Sequence, residues 1–251
     1  MAYSMEYRLR SCDFDTNGRI KPASVLDIFQ DVAGWDVQEV GWGSKDLLEN
    51  HGLLWVVIRT KYEMLKPVLE HSLIKAKTWT NVPSRFGFRR EYSMENSAGE
   101  LLIKSSSEWI MTDVDTRSFV SVADVWPDGG DKIEKTNFEG RLKKLRDFDI
   151  ENTCEQQGTE QPQKAPHSVY ATNSMLDCNG HVNNTYYANW VIDALSLQKD
   201  EEIKTMQIDY RKEVMLKDKI DIYTKRDGKK VQAKGINEED QRCFNAEIEL
   251  A

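Results

Sequence analysis

The chain carries an internal duplication, and that duplication limits what it can fold into more than any other feature. "FDTNGRIKPASVLDIFQDVA" (14–33) lies over "LDCNGHVNNTYYANWVIDAL" (176–195) at an offset of 162, matching Asp15, Asn17 and Gly18 to Asp177, Asn179 and Gly180. The following apolar positions also coincide. Val25, Ile28, Phe29, Val32 and Ala33 meet Tyr187, Trp190, Val191, Ala194 and Leu195. Both sets have the i, i+3, i+4, i+7, i+8 spacing of a helix with one buried stripe. Pro22 suits a first helical turn, and Asn183 or Asn184 suits a cap. Further on, "IRTKYEMLKP" and "IDYRKEVMLK" run together at an offset of 150, which sets Glu63 opposite Glu213. A weaker third match pairs "NSAGELLIKSSSEW" with "NEEDQRCFNAEIEL". The shrinking offset reads as loop shortening, which surface connections tolerate.

Each copy therefore reads as a short strand, a helix and a run of strands. In the first, strands are expected at Trp55–Met64, Leu73–Thr80, Phe88–Glu95 and Leu101–Thr112, with "NSAG" as a hairpin turn. In the second they are expected at Lys204–Met215, Ile220–Arg226, Lys230–Ile236 and Arg242–Leu250, with an Asp-Gly turn in "KRDGKK". One long helix followed by antiparallel strands gives an α+β unit. The expected division is a unit over 1–130, a linker over 131–165 and a second unit over 166–251. The linker is polar and rich in Gly, Pro and Gln, with a short helix expected at Gly140–Phe148.

Composition excludes several classes. The longest apolar runs, such as "GLLWVVI" (52–58), fall short of the roughly 20 residues a spanning helix needs. Net charge is −8, which argues against general nucleic-acid binding and requires a local basic patch for any acidic partner. Cys12, Cys154, Cys178 and Cys243 are scattered without a CxxC pair, so reduced thiols are expected. The opening segment has neither a secretory nor a transit pattern, and a cytoplasmic location is expected.

"DCNGH" (177–181) is the chemically dense stretch. If it is extended, Asp177, Asn179 and His181 share one face and Cys178 points to the other. An imidazole with a carboxylate, from Asp177 or from Glu213 on a neighbouring strand, suffices for acid–base work near neutral pH. A metal site is not expected, because alternation separates the thiol from the other two ligand types and no second Cys or His is near. Asp and Asn before a helix often only turn and cap the chain. That bland reading is accepted for the first copy, where Arg19 stands in place of the histidine. For the second copy a functional cluster is expected, giving one active site per chain.

At these residues the chain resembles the acyl-acyl carrier protein thioesterases. "NGHVNNTYYANW" is similar to that family's segment around its catalytic Asn and His, and "YRKE" (210–213) to the strand bringing a further catalytic position. "RFGFRREYSMENSAGELLIKSSSEWIMTDVDTRS" (85–118) resembles the family's Arg-rich strand, hairpin, Ser-x-Trp and Thr-Arg ending. The resemblance spans nearly the whole chain and implies a tandem pair of hot-dog domains. It implies catalytic roles for Asn179 and His181, with Asp177 and Glu213 as acidic members. Where many plant members have a cysteine directly after the glutamate, this chain has Val214, which puts a thiol mechanism in doubt.

The implied reaction is hydrolysis of a fatty acyl thioester on acyl carrier protein by direct attack of water, with no cofactor. Backbone N–H groups near Asn183 and Asn184 are the expected oxyanion donors. The first copy is the expected host of the acyl chain, in a slot lined by Trp35, Trp42, Trp55, Met64 and Phe88. The acidic carrier protein is expected to meet Arg85, Arg89 and Arg90, or Arg141, Lys143, Lys144 and Arg146. A coenzyme A thioesterase, a hot-dog dehydratase and a non-catalytic acyl-binding module remain as alternatives. The chain is expected to be a monomer or a homodimer.

Overall fold

The computed structural model describes residues 2–84, 87–125, 133–150, 166–195 and 197–251. The chain forms two compact units, Met1–Leu142 and Lys143–Ala251. Much of the segment expected as linker therefore belongs to one unit or the other, and its remainder, with Arg85, lies outside the described residues.

In the first unit, β1 (Tyr3–Arg8) leads through a single 3-10 turn at Ser11–Asp13 into α1 (Pro22–Glu39) and α2 (Ser44–His51). The strands β2 (Leu53–Met64), β3 (Leu73–Thr80), β4 (Phe88–Asn96) and β5 (Leu101–Asp113) follow, then β6 (Phe119–Val120) and the short α3 (Val122–Val125). The sheet order is β1-β3-β4-β5-β2, antiparallel throughout, with β6 on β5. Pro22 occupies the first turn of α1, and Val25, Ile28, Phe29, Val32 and Ala33 are all buried, as the spacing requires. Phe29 meets Tyr92 of β4 with ring centroids 5.1 Å apart.

The second unit repeats this plan with β7 (His167–Tyr170), a 3-10 turn at Asn173–Met175 and α4 (Tyr186–Leu195). Then come β8 (Ile203–Tyr210), β9 (Lys219–Asp227), β10 (Lys230–Asn237) and β11 (Arg242–Leu250). Its sheet order is β7-β9-β10-β11-β8, again antiparallel. Each unit is a helix laid on an antiparallel sheet, and the whole is an α+β tandem hot-dog fold. Among the described residues no helix is long and apolar enough to cross a membrane.

Register fixes which residues correspond. The Asn96 side-chain oxygen accepts from the N–H groups of Ala98 and Glu100, both at 3.0 Å, and Asn237 does the same for Glu239 and Gln241 at 3.2 and 2.8 Å. Both copies break register at the same point of this hairpin, between Met94 and Glu95 and between Gly235 and Ile236. These hairpins match at an offset of 141 (Asn96 to Asn237). With them aligned, Met64 opposite Ile103 corresponds to Tyr210 opposite Phe244, an offset of 146. The N–H groups of Leu65 and Lys66 both reach the Leu102 carbonyl, and those of Arg211 and Lys212 both reach that of Cys243. His71 and Lys217, also 146 apart, share the left-handed conformation. The offset of 150 expected from residue likeness is thus corrected. Glu213 corresponds to Pro67, and Glu63, paired with Lys104 at 3.0 Å, corresponds to Asp209.

Residues 140–148 are not a helix. Carbonyls along the strap they belong to, 133–150, are taken by sheet side chains instead. Arg89 donates to Phe138 (2.9 Å) and Gly140, Arg59 to Leu142 (2.8 Å), Gln207 to Lys143 (2.8 Å) and Lys234 to Phe148 (2.5 Å). Carbonyls bound outward cannot also close helical turns. In the first unit this strap crosses the sheet face opposite α1, because Arg89 and Glu91 alternate with Arg90 and Tyr92 along β4.

Candidate active site

"DCNGH" is a tight turn, not an extended strand. Leu176 and Val182 bridge across it, the Asp177 N–H donates to the His181 carbonyl (2.8 Å), and the Gly180 N–H returns to the Asp177 carbonyl (3.1 Å). Gly180 has φ +79°, where a side chain would be strained. The expected alternation of side chains therefore does not apply. The Asp177 carboxylate accepts from the Asn179 N–H (2.8 Å) and the His181 N–H (3.3 Å), and the Asn179 amide lies 3.4 Å from it. In the first copy Asp15 does the same for Asn17 and Arg19, at 2.8 and 2.9 Å. This shared geometry gives both aspartates the job of closing a turn.

What the second copy adds is an imidazole facing a carboxylate. His181 is mostly buried, and its Nε2 lies 3.4 Å from Oε2 of the half-exposed Glu213. Glu213 sits beyond the end of β8, not within the strand as expected, because the N–H groups of Arg211 and Lys212 turn aside to Cys243. An antiparallel bridge between His181 and Met215 holds the loop to the turn, and it includes the Val182 N–H donating to the Val214 carbonyl at 2.9 Å. The four expected residues thus fall into two linked pairs, Asp177 with Asn179 and His181 with Glu213. At the corresponding first-copy positions stand Arg19 and Pro67.

The entry to α4 is capped by Asn183, whose side-chain oxygen accepts from the Thr185 N–H at 3.1 Å. Its own N–H donates to the Met175 carbonyl (2.8 Å), so that group is spent and cannot serve as an oxyanion donor. The Asn184 carbonyl accepts from the Tyr210 hydroxyl at 3.1 Å. Tyr187, Val214 and Cys243 complete the buried floor. Burial pushes the Cys243 thiol up to about 11, leaving it protonated and a poor nucleophile at neutral pH. Cys178 is exposed on the turn. Among the described residues no group of three His, Cys, Asp or Glu side chains is placed to hold a metal ion.

The other expected residues divide sharply. In the first unit Leu47, Leu53, Phe88, Met111 and Val122 form a buried cluster, with Trp42, Trp55 and Trp109 packed on it. Trp55 and Phe88 meet edge to face at 5.0 Å, and the Trp55 Nε1 donates to the Trp42 carbonyl at 3.0 Å. Trp35 is 51% exposed, and Met64 ends β2 half-buried, so neither is a wall of that cluster. Arg89 and Arg90 are not a surface patch. Arg89 pairs with buried Glu91 (2.5 Å) and Ser106 (2.9 Å) beneath the strap, and Arg90, 2% exposed, pairs with Asp36 of α1 (2.5 Å). Burial holds the Glu91 carboxyl above its ordinary range against Ser106, the Asn137 N–H and Arg89. Arg141, Lys143, Lys144 and Arg146 are all exposed.

Comparison with known proteins accords with this architecture. Residues 1–127 match the acyl-ACP thioesterase N-terminal domain, and residues 154–249 match the acyl-ACP thioesterase C-terminal domain. The chain is 26% identical over 234 residues to oleoyl-acyl carrier protein thioesterase 2, chloroplastic, of Arabidopsis thaliana, covering 89% of this chain and 62% of that protein. It therefore spans under two thirds of that relative's length. Among solved structures, the 12:0-ACP thioesterase from Umbellularia californica superposes with a TM-score of 0.84 at 18% identity, covering 100% of this chain and 97% of that one. An acyl-ACP thioesterase from Bacteroides thetaiotaomicron gives 0.82 at 17%, covering 100% and 98%. With both halves matched in order, and with the fold shared from end to end, the chain belongs to the acyl-ACP thioesterase family.

Proposed function

We propose that the protein hydrolyses the thioester of a fatty acyl chain on acyl carrier protein, releasing a free fatty acid and the carrier's phosphopantetheine thiol. One observation carries this reading: the imidazole and carboxylate, 3.4 Å apart, occur in one copy of a duplicated scaffold whose other copy has Arg19 and Pro67 there. Two units built alike would not diverge at both positions to serve packing alone.

In this reading water enters beside His181 and Glu213. Its oxygen bonds to the thioester carbonyl carbon while the imidazole–carboxylate pair takes its proton. The carbon–sulfur bond then breaks, and the pair returns that proton to sulfur. The Asn184 N–H, at the entry of α4, faces the negative charge that develops on the carbonyl oxygen. Asp177 and Asn179 hold the turn that aims His181. Glu213 is preferred to Asp177 as the acidic partner because Asp177 repeats the turn-closing role of Asp15. Trp42, Trp55 and Phe88 of the first unit supply an apolar slot for the acyl chain, and Arg141, Lys143, Lys144 and Arg146 receive the acidic carrier. The reaction as written needs no cofactor.

The test is thiol release from a panel of acyl-carrier and acyl-coenzyme A esters. Release from carrier esters in preference to coenzyme A esters is expected. Preference for coenzyme A esters would reassign the substrate, and acyl binding without thiol release would reduce the protein to a binding module.

A further inference from the structure

Two tyrosines of the second unit stand where the first unit has residues without a hydroxyl. Tyr187 corresponds to Val25 at the offset of 162, and Tyr210 to Met64 at 146. Both hydroxyls reach backbone that carries the site. The Tyr210 hydroxyl donates to the Asn184 carbonyl at 3.1 Å, at the entry of α4. The Tyr187 hydroxyl lies near enough to the N–H of Val214, the residue after Glu213, for that N–H to favour its ionised form. Val214 in turn accepts from the N–H of Val182, the residue after His181.

Packing leaves these hydroxyls little freedom. The Tyr187 ring stands edge to face against Tyr210 (5.3 Å, 88°) and against Phe244 (5.3 Å, 84°). Phe244 is fully buried and seated on Gly235, where a Cβ would come within 2.1 Å of the ring. Burial, then Cys243, with Glu213 and Asp218, pushes the Tyr187 hydroxyl well above its ordinary range despite the Val214 N–H, so it stays protonated at any working pH. Three interlocked rings thus deliver two fixed hydroxyls, one to each backbone segment of the site.

We infer that Tyr187 and Tyr210 are positioning residues: Tyr210 fixes the helix-entry peptide at Asn184, and Tyr187 fixes the loop that presents Glu213 to His181. This role rests on the thioesterase reading. A ring that only filled the core would act equally well without its oxygen, so phenylalanine separates the two explanations.

The experiment compares the whole chain with its Tyr210→Phe and Tyr187→Phe variants on an acyl-carrier ester, with Tyr170→Phe, at an exposed position on β7, as the control. Each site variant is expected to lose about tenfold in kcat with KM unchanged, since displacement of a reacting group by about 1 Å can cost up to about 100-fold. Amide hydrogen exchange should quicken over 183–187 in Tyr210→Phe and over 213–215 in Tyr187→Phe. A kcat within about twofold of the parent in Tyr210→Phe, or a change confined to KM, overturns the role. If Tyr187→Phe fails to fold, Tyr210→Phe decides alone. A parent protein that releases no thiol overturns the functional reading and this role together, whereas an active parent with an unaffected Tyr210→Phe overturns only the role.

Discussion

Asp177 and His181 are four residues apart in one turn, yet their environments assign them different work. Asp177 accepts two backbone N–H groups, as Asp15 does in the copy that lacks the histidine. Removing either carboxylate should therefore cost stability in the way that losing a cap does. Asp15→Ala and Asp177→Ala are each expected to lower the free energy of unfolding by about 0.5–2 kcal/mol in urea titrations. His181→Ala should leave the turn intact, because its backbone makes the turn contacts, but should lower kcat about 100-fold or more. Glu213→Gln should follow it. A loss of kcat in Asp177→Ala as large as in His181→Ala, with stability unchanged, would return the acid–base role to Asp177.

At the scale of elements, the duplication made most of the fold readable. Leu73–Thr80 and Arg242–Leu250 begin and end as expected from alternation and turn residues, and the buried stripe of α1 follows its helical spacing. What could not be read was set by contacts distant in sequence. The strap over 133–150 reads as linker because it lies between the polar runs "PDGGD" and "EQQGTEQPQKAP", whereas its order comes from side chains of the sheets that bind its carbonyls. The match of "IRTKYE" to "IDYRKE" follows residue likeness, while the true register is set by pairing with β5 and β11. The pairing of His181 with Glu213 was legible as chemistry, but their shared loop contact was not. Asn137 shows how specific the strap is. Its amide donates to the carbonyls of Tyr92 and Ser105, both at 2.7 Å, and its N–H donates to Glu91 at 3.0 Å. Asn137→Ala leaves two buried carbonyls short of a donor, and a loss of about 1–3 kcal/mol in unfolding free energy is expected by chemical denaturation. A loss below about 0.5 kcal/mol would mean that the strap lies loosely on its sheet.

For the whole molecule, charge decides how an acidic carrier could approach a chain whose own formal charge is −8. Like net charges repel at long range, so the encounter needs a local cationic surface. Internal pairing withdraws Arg89 and Arg90 from that role. The strap does the opposite for Arg141, Lys143, Lys144 and Arg146: its carbonyls are bound to the sheets while these four side chains stay exposed. Reversing two of them, as Lys143→Glu with Lys144→Glu, should raise KM for an acyl-carrier ester about threefold to tenfold at low salt, because exposed pairs contribute about 0.2–1 kcal/mol each. The effect should fade as ionic strength rises and the screening length falls from about 30 Å at 0.01 M to about 3 Å at 1 M. Neither kcat nor turnover of a small uncharged acyl thioester should change, since the chemical step is assigned to His181 and Glu213. An unchanged KM for the carrier ester at 0.01 M salt would remove the strap from the docking surface.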